Sequence, residues 1–262
     1  AALNLSAINL NDISFKNAVA ASVKSLNLSD ISLLANLNEK SELDAKAELK
    51  NISASSLKVD ETSKNLATLK DLNASNLKAN LLNEKIALSL EKTALNGINA
   101  PLSKELSANV ANIQILATSF TQDGNKSEAG VSELAVKGIN LKAKNKEILS
   151  VADLVAKNIG FDILKTALNI ASIDVNKPKF ASELSENGLS AVNELGFGEQ
   201  NTKATKAAKH AKKVEKKAEN KSASKSKENE FKFDIKNISV NNADIALTHL
   251  FEGEKITHKF DN

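Results

Sequence analysis

Three imidazoles, His210, His249 and His258, are the first residues to weigh for chemistry. A zinc or copper site takes three or four ligands. His210 sits in a Lys-rich stretch, and the other two lie close together near the C-terminal end, where a hairpin would bring them across from each other. There is no Cys to complete a ligand set, act as a thiolate or build a disulfide framework. Ser is plentiful, but no Gly-x-Ser-x-Gly elbow occurs and no His precedes residue 210 to activate a hydroxyl. Carboxylate pairs such as Asp60-Glu61 fall in polar turn segments. The glycines form neither Gly-x-Gly-x-x-Gly nor a phosphate loop; Gly196 and Gly198, after Leu195, read as a helix exit. Without Trp or Tyr there are no amphipathic aromatic anchors for a sugar cleft. The expectation is a protein that is not an enzyme and that uses no metal and no cofactor.

What remains is apolar surface. The chain of 262 residues is 42% hydrophobic but 3% aromatic, all of it Phe. That is enough apolar material for a core and too much for wholesale disorder. No apolar run approaches the roughly 18 residues that span a bilayer as a helix. The chain holds no Met, so it reads as a processed product or a piece of something longer. Its 35 basic residues are all Lys, and the net charge of +3 is unevenly spread. Residues 201–230 carry Lys203, Lys206, Lys209, Lys212, Lys213, Lys216, Lys217, Lys221, Lys225 and Lys227, with Val214 the one large aliphatic. This segment cannot bury a core and reads as a linker or exposed helix. It lacks the Arg forks and interleaved aromatics of nucleic-acid binders, so no nucleic-acid partner is expected.

The organising pattern is apolar-x-apolar-x-x-apolar-x-apolar, returning about every twenty residues. It appears as Ile8, Leu10, Ile13, Phe15, and again as Leu26, Leu28, Ile31, Leu33. Further copies are Ala47, Leu49, Ile52, Ala54, then Ala67, Leu69, Leu72, Ala74, then Leu88, Leu90, Thr93, Leu95, then Ala108, Val110, Ile113, Ile115. The best formed are Leu134, Val136, Ile139, Leu141, then Leu154, Ala156, Ile159, Phe161, then Leu168, Ile170, Ile173, Val175, and, past the Lys-rich segment, Phe233, Ile235, Ile238, Val240. Alternation on either side of the x-x gap is the signature of a strand. The gap flips the parity, so a bulge or sharp bend there is needed to keep both halves facing one side. Gap residues such as Asn11-Asp12, Ser29-Asp30 and Lys236-Asn237 suit a bend.

Polar turn signals separate the copies, among them Asn83-Glu84-Lys85 and Gln122 to Lys126. Each copy then becomes one bent strand of roughly 12–16 residues, joined to the next as an antiparallel meander. Pro178 is expected at a strand end or an edge. The alternative is a parallel β-solenoid, as in a structural or adhesive surface protein, whose corners use more Gly than is available here. Helix candidates (Lys16 to Lys24, Gly188 to Leu195 and the Lys-rich segment) are too short or too polar to cover such a sheet. The sheet is therefore expected to curl, with its aliphatic face as a working groove. The fold class expected is mainly β, long bent antiparallel strands in a repetitive curled sheet with short helices and a Lys-rich insert. Residues 1–200 would be the groove segment, 201–230 the linker and 231–262 the start of the next repeat.

Residues 148–247 also carry a resemblance. A strand pair from Ile148 to Val175 ends in Asp174-Val175-Asn176-Lys177-Pro178. Gly188-Leu189 and Val192-Asn193-Glu194-Leu195 follow, then the low-complexity linker, then a fresh strand pair from Phe231 through Ile235, Ile238 and Val240 to Asp244-Ile245-Ala246-Leu247. This order resembles the AsmA-like superfamily of large bacterial envelope proteins, the group that includes YhdP-like and TamB-like proteins. The resemblance implies a periplasmic β-groove of a Gram-negative bacterium, anchored in the inner membrane through a missing N-terminal segment. In such a groove the partners are phospholipid acyl chains and, through other parts of the chain, both membranes. The lining would include Leu134, Val136, Ile139, Leu141, Ile159, Phe161, Leu168, Ile170, Ile173, Val175, Phe233, Ile235, Ile238 and Val240.

Overall fold

The computed structural model describes residues 1–16, 19–37, 42–61, 64–103, 105–144, 146–185, 188–190, 231–251 and 254–261. Nine long strands follow one another: β1 (Ala2–Lys16), β2 (Val19–Leu37), β3 (Leu43–Glu61), β4 (Lys64–Leu82), β5 (Lys85–Pro101), β6 (Leu106–Asp123), β7 (Lys126–Ala143), β8 (Lys146–Asp162) and β9 (Ala167–Ser185). Each pairs antiparallel with the next, forming a meander that curls without closing. They run to 19 residues, longer than the repeat alone implies, because the strand carries more of the pattern than one copy of the motif. The antiparallel ladders from β1 to β9 exclude a parallel solenoid with one rung per repeat.

The chain then breaks the meander. After β10 (Gly188–Leu189), a short antiparallel addition to β9, it returns as β11 (Lys232–Ile235), β12 (Ile238–Asn241) and β13 (Asp244–Phe251). These three lie end to end along β9 and run parallel to it. The segment from Phe231 to Leu247 is therefore one broken strand track rather than a pair. Its parallel direction is open to it because some forty residues intervene, far more than a crossover needs. β14 (Glu254–Asp261) folds back antiparallel on β13.

Three further expectations are corrected. Lys16 ends β1, and residues Val19 to Lys24 open β2; alanines in this stretch favour a helix locally, but Ala21 and Val23 continue the strand pattern and pair on both sides. Gly188-Leu189 is strand, while residues 191–230, with Gly196, Gly198, His210 and the Lys-rich segment, lie outside the described residues. Pro178 sits inside β9 rather than at its end, opposite Val151 on β8. It is tolerated because the other ladder is interrupted there, between Asn176↔Asn241 and Lys179↔Asp244.

The turns follow local chemistry. Asn83 and Glu84 both adopt positive φ (49° and 63°) in the two-residue β4–β5 turn, the conformation that matches the twist of paired strands. Gly124 does so in the β6–β7 turn. Between β8 and β9, Asp162 Oδ1 accepts a hydrogen bond from the Lys165 backbone N–H (3.0 Å), and its other oxygen lies 2.8 Å from Lys165 Nζ. Among the described residues no helix is long and apolar enough to cross a membrane.

Candidate functional site

Each of β1–β9 is divided into three short panels by two corners. At a corner, one residue from each of two adjacent strands drops out of the pairing with no change of register. Asp12 and Lys24 drop out between β1 and β2 at one corner, Ser6 and Asp30 at the other. The first corner line continues through Ser56, Lys70, Gly97, Ala111, Gly138, Ala152 and Lys177. The second continues through Lys50, Asn76, Glu91, Ala117, Ser132, Asn158 and Ala171. On the first line the odd-numbered strands turn left-handed: Asp12, Ser56, Gly97, Gly138 and Lys177 have positive φ. On the second line the even-numbered strands do so, at Asp30, Asn76, Ala117 and Asn158. Each strand thus spends one left-handed residue, and it always faces a partner that has not turned.

This alternation resolves the parity problem. At both corners of a strand the apolar side chains on either side of the gap stay on one face, whether the strand's own corner residue is left-handed, as Asp12 between Leu10 and Ile13, or is not, as Ser6 between Leu5 and Ile8. The gap is a bend made by opposed residues, not a bulge with one extra residue. Register shifts occur only near strand ends, at Val59/Asp60 and Leu141/Lys142. Asp, Asn and Gly fill six of the nine left-handed sites, as expected of residues that tolerate this conformation. Polar ladders tie the corners: Ser25 to Ser55 (2.6 Å), Asn112 Nδ2 to Asn96 Oδ1 (2.8 Å), Asn51 Nδ2 to Ser29 (3.2 Å) and Asn241 Nδ2 to Asn176 (3.1 Å).

The panels stack into rows. In the middle row, Ile8 and Leu10 stand opposite Leu28 and Leu26, then Ile52 and Ala54, Ala74 and Leu72, Thr93 and Leu95, Ile115 and Ile113. The row goes on through Leu134 and Val136, Ala156 and Leu154, and Ile173 and Val175, to Ile238 and Val240. Ile159 and Phe161 pair with Ile170 and Leu168, which pair with Ile235 and Phe233, in a second row. Ile139 and Leu141 pair with Val151 and Leu149 in a third. All fourteen residues singled out from the sequence fall in these rows. The sequence pattern missed one panel per strand, including Val131, Leu149, Val151 and Phe180, because it stopped at two alternating pairs. A second x-x gap was present to extend it, as in Val131-Ser132-Glu133-Leu134.

At the two paired positions of each panel in β1–β9 this face is Ala, Val, Ile, Leu and Phe, with Thr93, Thr118 and Pro178 the exceptions and no charge, while toward the strand ends it also carries Glu61, Gln122, Ser127 and Ser182. The other face carries Asn9, Asn27, Ser53, Asn73 and Gln114 along the middle panel. The apolar face is concave where β1–β5 meet: Leu3, Leu33, Ala47, Ala79 and Leu88, one from each strand, line a cavity of about 510 Å³ with Ala1, Ala35, Ala45, Leu81 and Ile86. Nothing fills the face. Among the described residues the buried apolar side chains are five Ala, Ile148 and Val151, and no large side chain is under 2% exposed. The one packed cluster, Ala143 and Ile148 with Leu106, Leu141 and Phe180, closes one end of β6–β9.

Phe231, Phe233 and Phe260 are each more than half exposed. Phe231 meets Phe161 (ring centroids 6.4 Å apart), whereas Phe260 pairs with Ile245 on the far hairpin. His249 and His258 stack in parallel at 5.1 Å across that β13–β14 hairpin. The ion pairs are exposed, for example Lys85–Asp123 at 2.6 Å and Lys144–Glu105 at 3.5 Å. Asp162 is held below the usual carboxylate range, first by the hydrogen bond from the Lys165 side chain, and Lys165 is raised by the same contact. Comparison with protein-family models, with curated proteins and with solved structures finds no match to the chain.

Proposed function

We propose that the protein is a non-enzymatic lipid-binding, lipid-conducting β-groove segment that contributes to maintenance of a bacterial cell envelope. The observation that carries this reading is the set of continuous aliphatic rows of β1–β9, uncharged at the two paired positions of each panel, bent at two corner lines and left without a filled core. Soluble proteins rarely leave so much contiguous apolar surface uncovered without using it. Acyl chains suit it chemically, since each methylene removed from water gains about 0.8 kcal/mol. A lining with only isolated hydrogen-bonding groups such as Thr93 and Thr118 offers few fixed docking points, so a chain can slide along the rows. At about 4.8 Å per strand, β1–β9 give a path of about 38 Å. The periplasmic location, the inner-membrane anchor and the role toward the outer membrane rest on the resemblance of residues 148–247 to AsmA-like proteins.

Native mass spectrometry of the protein purified from bacterial cells tests the reading. Phospholipid adducts are expected, and they should disappear from an Ile113→Asp, Leu134→Asp double variant that keeps its far-ultraviolet circular dichroism. A wild-type protein that carries no lipid, and takes up none from vesicles, overturns it.

A further inference from the structure

Asn-x-Ser, with x other than Pro, is the acceptor triplet for N-linked glycosylation of exported proteins. It occurs at Asn4, Asn27, Asn51, Asn73, Asn125, Asn220 and Asn237. In a chain this rich in Asn and Ser the triplet by itself selects nothing, but its place in the fold does. Asn4 pairs with Ser32 inside β1. Asn27, Asn51 and Asn73 are paired on both sides: Asn27 between Asn9 and Ser53, Asn51 between Ser29 and Ser75, Asn73 between Ser53 and Ala94. Asn237 joins β11 to β12, and its carbonyl accepts the Ile173 N–H (2.9 Å). Asn220 lies outside the described residues. Among the described triplets, Asn125 is the one in a hairpin turn, where with Gly124 it forms the tip between β6 and β7.

The tip is built for access. Gln122 to Lys126 are all exposed. Gly124 turns left-handed at φ of +54°, and a Cβ built on it meets nothing within 4 Å, so the turn stands clear of its surroundings. A transferase must enclose the Asn carboxamide and the Ser hydroxyl together, which needs backbone drawn out of the ladder. At Asn125 that means opening two pairs at the end of one ladder, Asp123↔Lys126 and Gln122↔Ser127. At Asn27, Asn51 or Asn73 it means breaking two ladders in the middle of the sheet. Strand ends open at lower free energy than strand middles. Asp123 adds a carboxylate two places before the Asn, a further handle for a cationic groove. It is held in an exposed ion pair with Lys85 (2.6 Å), a contact that contributes little and gives way readily. Only Asn73 shares such an acidic residue, Asp71.

We propose that Asn125 is an N-glycosylation acceptor, and that the donor is a polyprenyl-diphosphate-linked oligosaccharide presented at the outer face of the inner membrane. The inference rests on the envelope location put forward above and not on lipid binding. In the transfer, Asn125 Nδ2 bonds to the anomeric carbon of the first sugar. The bond from that carbon to the diphosphate oxygen breaks, polyprenyl diphosphate leaves with the electron pair, and one amide proton passes to a base of the transferase. Nothing is oxidised or reduced. The glycan is bulky and hydrated. Carried on the tip, beyond the last pairs of β6 and β7, it leaves the aliphatic rows open and opposes association of molecules through them.

The test offers the full chain, purified unmodified, to bacterial membranes that hold an oligosaccharyltransferase charged with a polyprenyl-diphosphate oligosaccharide of known mass. Intact-mass spectrometry should show that oligosaccharide added to the 27.9 kDa chain, and peptide mapping should place it on Asn125. Asn125→Gln should abolish the addition, and so should Ser127→Ala, which keeps the Asn. Asn73→Gln should leave it unchanged. Circular dichroism of each variant should match the unmodified chain. No added mass on the folded chain, or an addition that persists in Asn125→Gln, overturns the proposal. Because the assay supplies transferase and donor, its outcome does not depend on where the cell places the protein; a wrong envelope location would show instead in cell fractionation, and a wrong lipid reading in the adduct experiment above.

Discussion

The left-handed corner residue is the smallest unit that explains this molecule, and it makes opposite predictions at two sites. Gly138 has φ of +61°, and a Cβ built on it would lie 2.8 Å from the Ala111 Cβ across the corner. Gly138→Ala should therefore cost both the left-handed penalty and the clash, about 2–4 kcal/mol together, read as a fall in the urea midpoint. Ala117 already bears the penalty, at φ of +47°. Ala117→Gly should stabilise by about 0.5–1 kcal/mol, the steric relief exceeding the added chain entropy of Gly. The gap between apolar pairs was visible in the sequence, and so was its bend. Which gap residue turns was legible at Asp30 and Asn158, whose types tolerate the conformation, but not at Asp12, beside an equally tolerant Asn11, nor at Asn76, at a gap beyond the pattern. It was not legible at Ala117 or Lys177, where the alternation of neighbouring strands overrides residue preference. One titration is also set at this scale. Hydrogen bonds from the Lys165 side chain and backbone N–H hold the Asp162 carboxyl below its ordinary 3.8. A depressed carboxyl stabilises the fold above its unfolded-state value and loses that contribution as pH falls through the folded one, so the window lies below pH 3.8. Carboxyl-detected NMR should show this midpoint, and Lys165→Ala should raise it only part of the way toward the ordinary value, because the backbone N–H bond at residue 165 remains.

At the scale of the element, strand identity came from period two and turn identity from local chemistry, and both were readable where they agreed. Asn83-Glu84-Lys85 is such a place: the turn was expected there, and the backbone takes positive φ at two successive residues. The second of these is a Glu, which pays for the conformation that a Gly adopts freely. Glu84→Gly should raise the thermal midpoint, with about 0.5–1 kcal/mol of added stability; an unchanged or lower midpoint would show that Glu84 makes a compensating contact. Local reading misled where helix preference and strand pairing competed, as at Lys16 to Lys24. There the alanines could serve either state, and two flanking strands decided. The parallel return of β11–β13 onto β9 could not be read from any local pattern. Phe233-x-Ile235-x-x-Ile238-x-Val240 looks the same in a parallel track as in an antiparallel one, since its apolar pairs sit on one face either way. Direction was set by a connection whose sequence carries no strand signal.

The rows themselves exist only at the scale of the whole molecule, where copies spaced by about twenty residues in sequence become neighbours about 4.8 Å apart. This is why an aliphatic groove could be foreseen from repetition while its three-panel section could not: two alternating pairs identify a strand, and only the ladder of nine strands shows that a third pair is always present. The same geometry constrains how a ligand binds. An acyl chain lying on an open face is covered on one side, so each methylene should contribute about half of the 0.8 kcal/mol of full burial, roughly 0.4 kcal/mol. Lengthening a fatty acid by four methylenes then strengthens binding by roughly 1.6 kcal/mol, or about fifteenfold. Exchanging one headgroup for another of equal charge should matter little, because Thr93 and Thr118 are the only side-chain hydrogen-bonding groups at the two paired positions of each panel in β1–β9 and they stand singly. Titration calorimetry over a series of saturated chains separates the possibilities. A graded dependence on chain length with little dependence on headgroup is the signature of sliding contact along rows. Affinity that is flat in chain length but selective for headgroup would mean that binding occurs on the polar face instead, and the aliphatic rows would then need another occupant.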